Sequence, residues 1–238
     1  MRRIYNTLGV VALALAAMPP LSIATWAQET IGAAAIVRNQ VKRLDSGRSA
    51  PVGSGDAVFR NEVVSTGDDS DAKLVFADDT NLAIGPKARV TLDKFVYAGT
   101  QSYARVAVGL AVGTFRFTTG NSEKRAYTID TPVATIGVRG TILDILSLEG
   151  RTTVVLQEGE ATVCTRDTGK KRKCGELRHP GDSITVTLSG GVSSLTISGK
   201  PGWSFASTCG AAAGLCDRTT LAQAAPGATG ELAALCGR

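Results

Sequence analysis

Residues whose type and spacing suit chemistry are few in this chain. His179 is the single histidine, so imidazole metal sites and hydrolytic triads have no second ring to build on. It precedes Pro180-Gly181-Asp182, which reads as a loop entering a strand, with no serine or cysteine pattern suited to nucleophilic catalysis. Asp68-Asp69-Ser70-Asp71 and Asp78-Asp79 crowd carboxylates that calcium favours. The EF-hand pattern is absent, however, and Asp and Ser are ordinary turn formers, so both segments read as turns. No cofactor pattern is present, and the chain reads as non-enzymatic.

Two basic features stand out. The run Thr131-Pro132-Val133-Ala134-Thr135-Ile136-Gly137-Val138-Arg139-Gly140-Thr141 holds one charge, Arg139, among small, β-branched, glycine and proline residues. Burying a guanidinium without a partner is expensive. Arg139 therefore reads as a structural arginine paired with Asp144 or Asp130, or bonded to loop carbonyls. A surface arginine facing an anionic partner is the competing reading. Thr131, Pro132, Arg139, Gly140 and Thr141 together form the expected structural corner. Gly169-Lys170-Lys171-Arg172-Lys173 is the densest charge run. It reads first as a solvated hairpin tip. Lys170, Lys171, Arg172 and Lys173 are also the first candidates for contact with phosphate head groups or acidic polysaccharide. No aromatics interleave with them, so a nucleic-acid platform is not expected.

Cysteine usage points to an oxidising compartment. Cys164 and Cys174 flank the polar segment 165–173. If that segment is a hairpin loop, the two sulfurs lie on facing strands and can bridge. Cys209, Cys216 and Cys236 sit near the C-terminus; two of them can pair and one is left over, with no pairing preferred.

The elements that must position these residues are strands. Glycine, threonine and valine are abundant and aromatics make up 5% of residues, a composition for short strands joined by frequent turns. Leu74, Leu82 and Val90 are eight apart, as are Phe76, Ile84 and Leu92. This period predicts stacked equivalent units, in a tight meander or as rungs of a small solenoid. Further strands are predicted over 104–108, 113–117, 126–130, 133–138, 142–147, 152–156, 161–164, 183–188 and 192–197, with glycines such as Gly159 marking joints. The expected fold is all-β, with short strands stacked in a solenoid-like or sandwich-like domain over 28–199.

The ends differ from this middle. Residues 1–27 read as a signal peptide: Arg2 and Arg3, an apolar run from Leu8 to Met18, then small residues. Its removal takes the formal charge from +5 to +3, because it contains Arg2, Arg3 and no acid. That balance does not argue for nucleic acid, and no later stretch has the length of a membrane-spanning helix. A periplasmic or secreted protein is expected. Residues 200–238 are rich in alanine and glycine and read as a cysteine-containing appendage, with a short helix from Asp217 to Ala225.

Three segments in order resemble the FecR domain of bacterial extracytoplasmic proteins: Gly55–Val58 with Glu62–Gly67; Ala72 through Pro86, a strand, acidic turn and strand; and Thr131 through Thr141 followed by Val154–Gly159. The resemblance covers roughly residues 55–165. It implies an exported β-rich module that binds envelope proteins or surface glycans. A sensor component that passes a signal to a separate membrane regulator is the second implied role. Asp79 departs from the pattern, which commonly has glycine at that turn position. A glycan-processing enzyme is the weakest alternative, because no convincing carboxylate pair is present.

Overall fold

The computed structural model describes residues 29–45, 47–99, 102–123, 126–166 and 172–208. The signal segment, Lys170, Lys171, Cys209, Cys216, Cys236 and the 217–225 helix lie outside these residues. The described chain is almost entirely strand. In order these are β1 (Thr30–Arg38), β2 (Val41–Asp45), β3 (Arg48–Pro51), β4 (Ala57–Phe59), β5 (Val63–Thr66), β6 (Asp71–Phe76), β7 (Asn81–Ile84) and β8 (Arg89–Gly99). There follow β9 (Ser102–Thr118), β10 (Tyr127–Asp130), β11 (Ala134–Leu148), β12 (Arg151–Thr165), β13 (Cys174–Leu177), β14 (Ser183–Ser189) and β15 (Val192–Ser198). A single four-residue helical turn, α1 (Phe205–Thr208), closes the series.

The all-β expectation holds, and three long strands explain how the sheet covers itself. The first half of β9 pairs with β8 and, in parallel, with β10; its last residues pair with β7 and β11. The first half of β11 pairs with β10, and its second half with β9. The end of β12 pairs with β13, and its beginning with β14. One layer therefore runs β3-β2-β5-β8-β9-β10-β11-β12-β13. The other runs β4-β1-β6-β7-β9-β11-β12-β14-β15. Strands that bend from one layer into the next are how an open sheet folds over into a sandwich.

Six strands expected from the sequence are thus three. The predicted pairs 104–108 with 113–117, 133–138 with 142–147, and 152–156 with 161–164 fuse into β9, β11 and β12. The glycines between them are bends within strands, not turns between strands. Gly113, Gly140 and Gly159 take φ of 120°, 63° and 83°, and the β11–β12 register shifts between Arg139 and Leu143. A side chain at Gly159 would stand 1.9 Å from the Gly140 carbonyl oxygen. At that corner the two backbones touch, which only glycine permits.

The eight-residue spacing resolves into a hairpin and a departure. Leu74 lies directly opposite Leu82 in the antiparallel β6–β7 pair. β8 does not stack on β7; it pairs with β5 and β9 instead. All six residues of the pattern are buried. They join a single core that fills the space between the layers. Contacts across that space include the edge-on rings of Phe117 and Tyr127, 5.9 Å apart, and the Tyr103 hydroxyl, which donates to the Ile31 carbonyl at 3.0 Å.

Candidate functional site

The acidic turns are structural. Asp78 is fully buried. Its carboxylate accepts the Ser122 hydroxyl at 2.5 Å, the Tyr127 hydroxyl at 2.8 Å and the Thr80 amide at 3.0 Å. Burial, with the Asp78 carboxylate beside it, holds the Tyr127 hydroxyl above the ordinary tyrosine range. Asp79 takes the left-handed conformation, φ 64°, which accounts for glycine being favoured at that turn position. Asp71 is paired through both carboxylate oxygens with Arg38. Desolvation lifts its carboxyl above the usual aspartate range although Arg38 opposes the shift. Among the described residues no three potential metal ligands gather.

The corner motif divides into a buried anchor and an exposed arginine. Thr131 closes the turn between β10 and β11: its hydroxyl accepts the Ala134 amide at 2.9 Å and the Thr152 hydroxyl at 2.8 Å. Its carbonyl accepts the Arg166 guanidinium at 3.0 Å. Pro132 caps that turn on the surface. Thr141 is buried, and its amide donates to the Thr119 hydroxyl at 2.9 Å.

The expected internal pairing of Arg139 is corrected. Arg139 is exposed, and both of its proposed partners are engaged elsewhere. Asp130 accepts the Thr135 hydroxyl. Asp144 belongs to Arg116, Nε to Oδ1 at 2.6 Å and Nη2 to Oδ2 at 3.0 Å. Strand alternation decides this. Residues 136 and 138 point into the core, so Gly137 and Arg139 point out of the sandwich.

Arg116 and Asp144 face each other across β9 and β11 on the outer side of the other layer, yet their side chains are 6% and 0% exposed. The segment after β15 covers them. Phe205 lays its ring over the Arg116 guanidinium, 5.5 Å from centroid to carbon, and its amide donates to Asp144 Oδ2 at 3.0 Å. Gln157 Nε2 donates to the same oxygen at 3.0 Å. Sequence reasoning missed Arg116, although Thr114-Phe115-Arg116-Phe117 also holds one charge in a run of strand formers.

The open face carries the candidate site. A groove of about 410 Å³ crosses β10, β11, β12 and β13. Its outward side chains are Thr128, Arg139, Glu160, Thr162, Glu176 and Arg178, and Gly137 leaves the middle bare. Thr128 lies opposite Gly137, Gly137 opposite Thr162, and Thr162 opposite Glu176, so these four form one cross-strand row. Arg139 sits opposite Glu160 in the next row, and Arg178 pairs with Glu176. A side chain built at Gly137 meets nothing within 4 Å. The surface is polar, charged in both signs and grooved along several strands. It suits an extended chain presenting alternating polar groups better than a small apolar ligand.

Other candidate residues lie around this groove. Cys164 and Cys174, opposite one another on β12 and β13, form a disulfide that ties the groove's outer wall. Arg172 and Lys173 are exposed beside it. The Lys173 amide donates to the Thr165 hydroxyl, and its ammonium reaches the Ser193 carbonyl at 3.5 Å. His179 is exposed, with its ring 3.3 Å from Asp182. Asp182 accepts the backbone amides of His179 and Arg178, which hold its carboxyl below the usual aspartate range. This local turn brings no nucleophile to the histidine.

Comparison with known proteins bears on the same strands. The family model described as FecR protein matches residues 62–162, which lie within the segment that carried the resemblance. No curated protein matches the chain. Two crystal structures of a proposed anti-sigma factor from Parabacteroides distasonis ATCC 8503, at 2.50 and 1.65 Å resolution, are similar in part. They show 13% and 14% identity and TM-scores of 0.44 and 0.43. Each match covers 56% of this chain and 58% of the other.

Proposed function

We propose that this protein, whose residues 62–162 match the family model described as FecR protein, is a non-enzymatic binding module of the bacterial envelope with a regulatory role. Residues 1–27 direct it out of the cytoplasm, and there it meets a protein partner in the groove of β10–β13. The observation that carries this reading is the pair Gly137 and Arg139. One leaves a backbone floor open and the other offers a guanidinium that no described side chain neutralises in an ion pair. The amides and carbonyls of these strands are bonded to one another, so a polar groove across them holds an extended chain through side-chain hydrogen bonds and reads it through side-chain charge. A surface glycan is the alternative occupant of the same groove.

The test uses Gly137→Val. Valine suits a strand, and a side chain at this position meets no neighbour within 4 Å. The variant is expected to melt like the wild type while losing the partners that the wild type captures from an envelope extract. Capture of the same partners by Gly137→Val and by Arg139→Glu would remove the groove from the reading. A membrane regulator among those partners favours a sensor component; structural envelope proteins alone favour a scaffold.

A further inference from the structure

We propose that Arg105 and Arg139 form a clamp for a carboxylate, so that a peptide held in the groove sets an acidic side chain at its β9–β11 end. This rests on the reading of the groove as a protein-binding site and states what the bound segment must carry. It also adds Arg105, which lies beyond the groove's lining. Arg105 and Arg139 are both exposed. Neither makes an ion pair or a side-chain hydrogen bond among the described residues. By contrast, Arg38, Arg43, Arg60, Arg116 and Arg178 each meet a carboxylate.

Strand register puts the two arginines on one side of the sheet. In β9, Val106 and Val108 are buried in the core, so Arg105 and Ala107 turn to the open face. Tyr127 of β10 lies beside Val106, and Thr128 beside Ala107. Thr128 also lies opposite Gly137 of β11. Carried on to Ala126, the same registers set that residue between Arg105 on one side and Arg139 on the other. Adjacent strands stand about 4.8 Å apart, so the two arginine backbones are about 10 Å apart. Two side chains of that length reach one group placed between them. The residues beneath that group, Ala107, Ala126 and Gly137, are small and uncharged.

Charge selects the occupant. The acids nearest in register are Glu160, opposite Arg139, and Asp93, at the irregularity where β8 passes Val108 and Ala107 of β9. Neither is ion-paired with an arginine among the described residues. Asp130, toward the other end of β10 from Ala126, accepts the Thr135 hydroxyl. A carboxylate between the two guanidiniums offsets both like charges, and it accepts paired N–H bonds from a planar fork. Farther across the groove the sign reverses. Glu160 stands on β12, and Glu176 on β13 is already paired with Arg178. A uniformly anionic glycan crossing from β9 to β13 would meet both carboxylates. A peptide with one acidic side chain, followed by polar or basic ones, meets favourable charge along the whole path.

The experiment selects binders of the full chain from a random peptide library displayed on phage, then titrates the best of them as a synthetic peptide. The selected sequences are expected to share one Asp or Glu position. Arg105→Gln and Arg139→Gln should each weaken the peptide about fivefold, the scale of one exposed ion pair, with unchanged melting temperatures. Changing the shared acid to its amide should cost as much, and the arginine variants should then weaken that amide peptide no further. Arg151→Gln, at the far end of β12, removes the same net charge and should leave binding as it was. Selected peptides with no shared acid, lost by Gly137→Val but kept by both arginine variants, overturn the clamp and leave the groove standing. Peptides that bind all these variants equally overturn both. Failure to select any peptide, with oligogalacturonate bound in an Arg105- and Arg139-dependent way, overturns the peptide and assigns the clamp to an acidic glycan.

Discussion

β11 carries two charged residues that face acid or base across a neighbouring strand, one in each layer, and the pairs behave in opposite ways. Asp144 meets Arg116 on β9, while Arg139 meets Glu160 on β12. The first pair is covered by Phe205 and bonded through both oxygens. The second lines an open groove and forms no ion pair among the described residues. Residue type and strand position are nearly the same. The cover is the difference. Under Phe205 water is excluded, so each charge must find its partner in the protein. In the groove water solvates both, and a surface pairing contributes at most about 1 kcal/mol. A charged pair of the first kind supports the fold; one of the second kind remains available to a partner.

Removing a charge from each pair tests this contrast. Arg116→Ala strands the Asp144 carboxylate in the interior and is expected to cost about 3–5 kcal/mol, read from chemical denaturation. Joint replacement of Arg116 by Met and Asp144 by Leu should recover part of that loss, because no buried charge is left alone, while the Phe205 amide and Gln157 lose their acceptor. A cost within the range of surface substitutions for Arg116→Ala would erase the distinction between the two faces.

The groove's wall offers the next largest effect. Replacing Cys164 and Cys174 by serine frees β13 from its covalent tie and should destabilise the protein by about 2–3 kcal/mol. Because β13 holds Glu176, the same variant should weaken partner capture. The Arg116–Asp144 face, on the other layer, should be protected from hydrogen exchange to the same relative degree as before.

Tyr127 lines the groove and donates its hydroxyl to the buried Asp78 carboxylate. Its hydroxyl is held above the ordinary tyrosine range in the folded protein. The associated stability is therefore fully present below the unfolded tyrosine pKa, about 10, and is lost as pH rises through the higher folded value. Thermal unfolding should shift steeply downward in alkali. Tyr127→Phe should be less stable at neutral pH but flatter in that range; an unchanged alkaline limb would show that another group titrates there.

The smallest stability effect is expected at the residue that first drew attention. Arg139→Ala should change stability by no more than about 0.5 kcal/mol, as for other exposed side chains, while reducing partner capture. A large drop in melting temperature would mean that Arg139 has an internal partner after all.

The strand content, the Cys164–Cys174 bridge and the inward set Leu74, Phe76, Leu82, Ile84, Val90 and Leu92 were legible along the chain. Each depends on alternation or on residues a few positions apart. The fusion of predicted strands into β9, β11 and β12 was not legible. Gly140 and Gly159 read locally as chain breaks, and only their closeness across two strands shows them as bends. The groove was half legible. Arg139 stood out, but the neighbouring row of Thr128, Gly137, Thr162 and Glu176 is assembled from four successive strands, and their register decides which of these residues line up.

Pattern and composition alone determined that this chain would form strands, which side chains would turn inward, and which family its middle resembles. These follow from the two-residue period of a strand and from the preferences of small and β-branched residues. Tertiary structure decided which arginine is buried and which is free. That choice depends on Phe205, which returns from 61 residues away to donate its amide to Asp144 and cover one guanidinium while leaving the other in water. Local pattern specifies the side of a strand that a charge occupies. Only the packed chain specifies whether that side meets solvent, and so whether the charge must be satisfied within the fold.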